Sequence, residues 1–241
     1  PDGARAIVTD YQSNTIEVIT IATDAITTVT VGSNPEGVVI SSDGTTAYVA
    51  NPGSDTVSVI DLATDAVTAT IPVGSSPYGV TLSNDGTTAY VTDFDDDTVS
   101  VIATGTNTVT ATIPVGAGPT HMAITPDGRT GLVANRNTDT VTELDLTTNT
   151  VASTITVGSG PWGAAFTPNG RKAYVTDDND GTVSVLTLPA STTTPTSTKP
   201  RLPTTGVDET PVALTALGLL VLGGTVLLVR RRRERVTGRD A

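Results

Sequence analysis

The sequence predicts an all-β protein of the β-propeller class, and two observations lead to this prediction. A unit of about 42 residues repeats along most of the chain, and each copy contains short segments in which apolar and polar residues alternate. Alternation with a period of two is typical of half-buried strands, and a repeat of this length with four antiparallel strands is typical of a propeller blade. Residues 189–241 depart from the repeat and need a separate interpretation.

Two short motifs define the register of the repeat. Asp-Gly or Asn-Gly pairs stand at 2–3, 43–44, 85–86, 127–128 and 169–170, and Val-Gly pairs begin at Val31, Val73, Val115 and Val157. One step is 41 residues instead of 42, because a residue is missing between Asp24 and Val31. The Gly-containing pairs suit tight turns between strands. Each unit therefore predicts four strands, named A to D in chain order, with 18 strands within residues 1–188.

The predicted blades do not add up to a closed ring. The chain begins in strand B of one unit, and residues 161–188 end in strand C of another. The two ends overlap in strands B and C, so they cannot complete one shared blade. A blade needs neighbours to cover both of its faces. We therefore expect a partial ring at 1–188 that lacks upstream blades and a leader segment.

Several segments resemble the YVTN family of β-propellers: "AYVTD" at 89–93, "AYVAN" at 47–51, and "TVSVI" at both 56–60 and 98–102. The resemblance covers roughly residues 1–188. It implies a ring of seven blades.

Composition excludes several classes of site and partner. The net charge is −12, which excludes nucleic acid as a partner because nucleic acid attracts basic surfaces. The chain has no Cys and one His, which excludes thiolate nucleophiles, Cys-ligated metals and His-based triads. His121 is interpreted as a turn residue that is peculiar to its unit, in preference to a catalytic base. No cofactor is expected.

The predicted strand directions place the B–C turns and D–A connections on one face of the disc, here called the variable face. The A–B and C–D turns lie on the opposite, uniform face. Two registers of the variable face differ from blade to blade and are rich in aromatic residues, which suit recognition on a rigid scaffold. The alternative interpretation is that the aromatic side chains plug the ring near its axis. The candidate binding residues are Glu36, Tyr78, Thr120, Trp162, Tyr11, Phe94 and Arg136.

The variable face is also acidic. Oxygen-rich loops of this kind can hold calcium, but Asx turns and solubility explain the same residues, and no metal site is predicted. The calcium candidates under the less favoured interpretation are Asp93, Asp95, Asp97, Asp177 and Asn179.

The C-terminal region has four consecutive parts. Residues 189–201 are rich in Pro and Thr and predict a disordered stalk, interpreted as a plain linker in preference to a glycosylated one. The stalk is followed by "LPTTG" at 202–206, an uncharged apolar stretch at 212–229 that predicts one transmembrane helix, and a basic tail at 230–241.

These parts resemble, in their order, the LPxTG cell-wall sorting signal of Gram-positive bacteria. The resemblance implies that a sortase recognises Leu202, Pro203, Thr204, Thr205 and Gly206 and cuts between the last two. It further implies a precursor held in the membrane by its C-terminal helix and a mature protein linked to peptidoglycan at the cell surface.

The sequence favours a non-enzymatic surface protein whose propeller is a platform for binding or adhesion to an unidentified extracellular ligand. The alternative is an extracytoplasmic propeller enzyme, either a lactonase-like hydrolase or a redox protein. Short uniform turns, the absence of Cys and the single His favour the platform.

The sorting signal generates a first prediction. Protein released from the wall by muramidase should yield a C-terminal peptide that ends at Thr205 and carries a wall-peptide adduct, as measured by mass spectrometry. An intact Arg-rich tail on the mature surface protein would contradict sortase processing and leave a simple membrane anchor.

Overall fold

The computed structural model describes residues 3–188, which lie within one compact unit, Pro1–Ser191. The predicted stalk, sorting motif, membrane helix and basic tail fall outside the described residues. Within residues 3–188, no helix is long and apolar enough to cross a membrane.

The described chain folds into 18 strands that form five antiparallel sheets, here called blades 1 to 5. Consecutive strands pair in chain order within every blade, as expected for a propeller. The predicted all-β architecture of four-stranded antiparallel blades is confirmed. The strands are β1 (Arg5–Asp10), β2 (Thr15–Thr20) and β3 (Ala25–Thr30) in blade 1; β4 (Val38–Ile40), β5 (Thr46–Asn51), β6 (Thr56–Asp61) and β7 (Ala66–Pro72) in blade 2; β8 (Pro77–Leu82), β9 (Thr88–Asp93), β10 (Thr98–Ala103) and β11 (Thr108–Pro114) in blade 3; β12 (Pro119–Ile124), β13 (Thr130–Asn135), β14 (Thr140–Asp145) and β15 (Thr150–Thr156) in blade 4; and β16 (Pro161–Phe166), β17 (Lys172–Asp177) and β18 (Thr182–Thr187) in blade 5.

The single missing residue in the first repeat has a structural counterpart. In blades 2, 3 and 4 the pairing of strands C and D shifts register once, after Val59, Val101 and Glu143. In blade 1 the pairing of β2 with β3 runs without a shift. A β-bulge adds one residue to one strand of a pair. The 41-residue step therefore corresponds to the loss of the bulge in blade 1.

The turn residues follow the backbone conformation that each turn requires. The A–B turns place Gly44, Gly86, Gly128 and Gly170 at positive φ, where a Cβ is disfavoured. The B–C and C–D turns of blades 1 to 4 place Asp or Asn at positive φ, and these two residue types tolerate the left-handed region best among those with a side chain; the B–C turn of blade 5 has Gly181 there. The repeat in sequence is therefore a repeat of turn geometry.

The core consists of layers between neighbouring blades. Each of four clusters draws side chains from two consecutive sheets. Between blades 3 and 4, for example, Tyr90 and Val99 pack with Val133 and Leu144. A single twisted sheet cannot bury both of its faces, so each blade is stabilised by the neighbours that cover it.

The outward face of blade 5 lacks this cover among the described residues. Val183 and Val185 are 55% and 53% exposed, whereas their repeat equivalents Val99 and Val101 are 0% and 1% exposed. The same residue types are therefore buried or exposed according to whether another blade follows. This exposure agrees with the prediction that residues 1–188 form a partial ring.

One buried carboxyl group is conspicuous at the end of β9. Asp93 is 0% exposed, and its Oδ2 accepts hydrogen bonds from Ser100 Oγ at 2.7 Å and Thr98 Oγ1 at 3.0 Å. Its Oδ1 is buried without a hydrogen-bond partner. Burial raises the pKa of Asp93 to about 6. The equivalent residue in blade 2 is Asn51, whose uncharged amide donates to the corresponding hydroxyls.

Exposure of the last blade generates a prediction for the 241-residue chain. Val99→Ala should lower the free energy of unfolding by roughly 2 kcal/mol, because it removes buried methyl groups and leaves a cavity. Val183→Ala, at the equivalent position of blade 5, should change it by less than about 0.5 kcal/mol. Urea unfolding of both variants measures the difference. Equal losses would mean that another element covers blade 5.

A second prediction concerns pH. Because Asp93 holds its proton more tightly in the folded state, its contribution to the free energy of unfolding falls as pH rises from about 4 to about 6. Asp93→Asn should remove this slope and raise stability at pH 7 by about 1–3 kcal/mol. Thermal unfolding across pH 4–8 measures the effect.

Asp85 in the exposed A–B turn is the matched control for this experiment. Hydrogen bonds from Ser83 and Thr87 lower the pKa of Asp85. Its carboxylate therefore adds stability that is present at neutral pH and is lost as pH falls below about 4. Asp85→Asn should destabilise the protein at pH 7. A loss of stability in both variants would contradict the proposed cost of burying the Asp93 charge.

Candidate functional site

Carboxylates of the B–C turns fix the variable face by binding the backbone of the D–A connections. Asp55, Asp97 and Asp139 accept hydrogen bonds from the amides of Ser76, Gly118 and Gly160 at 2.8–2.9 Å. The next blade binds the same connection from its other side, as where Asp96 accepts from the Ser75 amide at 2.8 Å. Each connection is thereby clamped between two blades, and the residues that follow it in strand A are rigidly placed.

The clamped A strands bring aromatic side chains together. Tyr78 in β8 makes an edge-to-face contact with Trp162 in β16, with ring centroids 5.3 Å apart. The Tyr78 ring also lies 6.2 Å from that of Phe94, in the B–C turn of blade 3. These distances are typical of favourable aromatic pairs. The two variable registers predicted from the sequence therefore meet in one cluster of rings. This cluster of Tyr78, Phe94 and Trp162 is here called the aromatic pocket.

Arg136 adds a cation to this pocket. Its guanidinium carbon lies 4.8 Å from the centroid of the Trp162 ring, and its Nη2 donates to Asp178 Oδ2 at 3.0 Å. Asp178 occupies in blade 5 the position that Arg136 occupies in blade 4. Arg136 Nη1 is buried and has no hydrogen-bond partner. A buried cationic donor without an acceptor is costly.

His121 lies beside the same aromatic rings. It is part of β12, and its ring centroid is 5.5 Å from that of Tyr78 and 5.7 Å from that of Trp162. Its Nδ1 lies 3.2 Å from the Trp162 carbonyl oxygen, which can only accept, so Nδ1 carries the proton. Burial lowers the pKa of His121. At neutral pH, Nε2 therefore presents a basic lone pair.

Tyr78 is the central ring of the pocket, and its hydroxyl group interacts with Glu36 and Arg136. Burial and the neighbouring Glu36 raise the pKa of the Tyr78 hydroxyl, and the positive charge of Arg136 opposes this shift. Tyr78 therefore stays protonated across the physiological range and acts as a hydrogen-bond donor. Tyr11 also acts on the pKa of Tyr78 through its charge, and the Tyr11 side chain is half exposed.

Thr120 has a different place from the other candidate binding residues. It is fully buried, and its hydroxyl lies 2.6 Å from the Trp162 carbonyl oxygen and 3.3 Å from that of Ala134. Its side chain thus holds Trp162 from behind instead of facing a ligand.

The structure does not gather the calcium candidates into one site. Within residues 3–188, no three His, Cys, Asp or Glu side chains are close enough to hold a metal ion. Each candidate side chain has its own hydrogen-bond partner: Asp93 with Ser100, Asp95 with Ser76, Asp97 with Gly118, Asp177 with Ser184 and Asn179 with Arg136.

His121 is a member of the cluster of rings that the sequence interpretation did not place there. It lies in a strand and contacts the aromatic pocket, so the interpretation as a turn residue is wrong. One signal in the sequence marks it, since Gly37, Gly79 and Gly163 stand at the equivalent positions. In blade 2 the Gly37 amide binds the Tyr78 carbonyl oxygen of the next blade. In blade 4 a ring nitrogen of His121 makes the corresponding contact with Trp162.

Comparison with known proteins supports the propeller and identifies its family. A family model described as "Lactonase, 7-bladed beta-propeller" matches residues 5–217. No curated protein matches the chain.

Two solved structures are similar in fold. Kuenenia stuttgartiensis hydrazine synthase has a TM-score of 0.69 and 24% sequence identity over 78% of this chain. A functionally unknown protein from Desulfotomaculum acetoxidans DSM 771 has a TM-score of 0.62 and 18% identity over 76% of this chain. The chain spans 64% and 65% of the length of these two structures.

The family match corrects the functional interpretation drawn from the sequence. The prediction of a non-enzymatic adhesion platform is wrong, and the enzymatic alternative is favoured, because the matching family is a lactonase family. The sequence argument relied on the scarcity of His and Cys. General-base hydrolysis needs only one basic group, however, and the fold places the single His beside Tyr78 and Trp162, the ring that Arg136 also contacts. By the match over residues 5–217, the chain belongs to the lactonase family of seven-bladed β-propellers.

Proposed function

We propose that the aromatic pocket is the active site of a hydrolase that opens lactone rings. The observation that carries this proposal is that an imidazole and a guanidinium group both contact the Trp162 ring. His121 Nε2 supplies the base, and the guanidinium group of Arg136 supplies the donor. Ester hydrolysis needs a group that activates water and a group that stabilises charge on the carbonyl oxygen.

The proposed reaction needs only the lactone and one water molecule. Water attacks the lactone carbonyl carbon, and His121 Nε2 takes a proton from that water. The guanidinium group of Arg136 donates a hydrogen bond to the carbonyl oxygen as negative charge develops on it. The ring C–O bond then breaks, the imidazolium returns its proton to the departing alkoxide oxygen, and a hydroxy acid leaves. The neutral state of His121 at pH 7 suits it for the first proton transfer.

Burial of the pocket strengthens both roles. Hydrogen bonds and charges act more strongly in a low-dielectric environment than in water. Asp178 holds Arg136 in place through its Nη2. The Trp162 carbonyl holds the His121 ring in one tautomer, as the orienting partner of a catalytic His does elsewhere.

The proposed place of this reaction is the cell surface. The sequence "LPTTG" at 202–206, the apolar stretch at 212–229 and the basic tail support anchoring by a sortase to peptidoglycan. The YVTN-like motifs support the same assignment of repeats within the propeller. A hydrolase fixed to the wall would act on lactones that reach the cell from outside.

The proposal predicts the effect of substitutions at two residues on hydrolysis of γ-phenyl-γ-butyrolactone. His121→Gln and His121→Gly should each lower kcat by about 100-fold or more, because the general base is lost. The Gly variant should fold normally, since three other blades carry Gly at this position. Arg136→Gln should lower kcat by roughly 100-fold through loss of the carbonyl donor. Chromatographic assay of the hydroxy acid measures the rates.

Arg129→Gln, in the A–B turn of blade 4 on the uniform face, is the control and should leave the rate unchanged. In the unmodified protein, kcat/KM should rise with pH as His121 loses its proton, and this limb should lie below pH 6.5, because burial lowers the pKa of His121. A pH profile and rate unaffected by His121→Gln would refute the catalytic assignment.

A further inference from the structure

We propose that a groove between blades 2 and 3 binds a primary alkylammonium group. The groove has a volume of about 430 Å³, and the residues that line it include Val73, Gly74, Asp96, Thr98, Ser100 and Val109. This volume is many times the roughly 30 Å³ that one water molecule occupies in the liquid, so the groove admits a small organic ion. None of these residues belongs to the aromatic pocket, and the proposal does not depend on the proposed hydrolase.

Two hydroxyl groups in the wall of the groove have their protons engaged on the protein side. Thr98 Oγ1 and Ser100 Oγ donate to Asp93 Oδ2 at 3.0 and 2.7 Å. A hydroxyl group has one proton and two lone pairs, so each oxygen has only lone pairs left for other partners. These two oxygens therefore act as acceptors, and they favour a ligand that donates hydrogen bonds.

Two carboxylates stand at the same wall. Asp93 is fully buried directly behind the hydroxyls, and a Cβ on Gly74 would lie 2.7 Å from Asp93 Oδ2. Asp96 is exposed, and its Oδ2 accepts from the Ser75 amide at 2.8 Å. Burial raises the pKa of Asp93 to about 6, and the negative charge of Asp96 adds to this rise. The two carboxylates therefore repel each other, and a positive charge in the groove stabilises both.

The repeat shows that these two carboxylates occur together. Blades 3 and 5 have Asp at both positions, whereas blades 2 and 4 have an amide at the first and a hydroxyl at the second. The four pairs are Asp93 with Asp96, Asp177 with Asp180, Asn51 with Ser54, and Asn135 with Thr138.

The uncharged pair of blade 2 makes the contacts that the fold needs. Asn51 Nδ2 lies 3.0 Å from the Ser58 hydroxyl, which is the equivalent of Ser100. Ser54 Oγ accepts from the Ser33 amide at 3.1 Å, as a carboxylate oxygen does in blade 3. The blade therefore folds without either charge, and two like charges at one wall of a groove favour a cationic ligand.

An alkylammonium ion matches both the polar and the apolar parts of this groove. Its head carries one positive charge and three N–H donors for the Asp96 carboxylate and the hydroxyl oxygens. Its aliphatic arm packs on Val73 and Val109. A calcium ion needs six to eight oxygen ligands, whereas no three His, Cys, Asp or Glu side chains gather anywhere in residues 3–188. The groove therefore suits an organic cation better than a divalent metal ion.

NMR shifts of the Gly74 and Ser100 amides in the 241-residue chain, above the pKa of Asp93, measure binding. The probes are n-butylammonium, which represents a free amine, and Nα-acetyl-lysine amide, which represents a lysine side chain of a polypeptide; the tighter ligand identifies the source. Tetramethylammonium has the charge without an N–H donor, and 1-butanol has the chain without a charge. Each of these two should bind at least about tenfold more weakly than n-butylammonium.

The decisive variant gives the wall of the groove the residues of blade 2. Asp93→Asn with Asp96→Ser should weaken the Kd of n-butylammonium at least about tenfold, because both negative charges are lost. This variant should fold, since blade 2 is built with the same pair. Asp61→Asn with Asp145→Asn, two turn carboxylates of the uniform face, removes the same charge and should leave the Kd unchanged.

The outcomes either support or overturn the ammonium site. Selective binding of either amine, abolished by Asp93→Asn with Asp96→Ser, would support it whether or not lactones are hydrolysed. Unchanged affinity in that variant, or equal binding of 1-butanol, would overturn it. Shifts at Gly74 and Ser100 with calcium chloride but with neither amine would also overturn it, and would indicate a metal site.

Discussion

Every part of this structure depends on the fact that a blade cannot bury both of its faces alone. The apolar side chains that alternate along the strands point to both sides of each sheet, and they become a core only where a second sheet covers them. Val99 and Val183 illustrate the constraint, because the same residue type at the same repeat position is buried in blade 3 and exposed in blade 5. Stability is therefore shared between neighbours, and no blade holds a core of its own.

Stacking of the blades is guided by polar contacts as well as by apolar burial. In the connection between blades 2 and 3, Asp55 in its left-handed turn conformation accepts from the Ser76 amide, and Asp96 of the following blade accepts from the preceding Ser75 amide. These hydrogen bonds satisfy backbone groups that would otherwise be left unpaired at the edge of the core. They also explain much of the acidity of the variable face, since the acids act as hydrogen-bond acceptors within the fold. The negative field at the pocket is thus a consequence of how the propeller is built.

The candidate site arises where the repeat is broken. Equivalent positions in successive blades carry Tyr78, Thr120 and Trp162 in one register, and Phe94, Arg136 and Asp178 in the other. The repeat brings these positions close together, and their differences give the pocket rings, a cation, its carboxylate partner and a buried hydroxyl. His121 replaces a Gly at a crowded contact between blades, and it keeps that contact through its ring. A regular scaffold thus supplies the placement, and a few irregular residues supply the chemistry.

The sequence by itself determined the strands, the turns and the blade register. Alternation of apolar and polar residues and the residues of left-handed turns are local properties, and each copy of the repeat shows them again. It also identified the two variable registers, from which five of seven candidate residues, Glu36, Tyr78, Trp162, Phe94 and Arg136, meet in or beside the pocket. Only the tertiary structure decided that Thr120 supports the pocket from behind, that Arg136 keeps one buried nitrogen unpaired and that His121 belongs to the site. These properties depend on distances between blades, 41 or 42 residues apart in the chain, and on burial by neighbours that no local pattern records. The tautomer of His121 was decided in the same way, since a carbonyl oxygen of the next blade sets which ring nitrogen carries the proton.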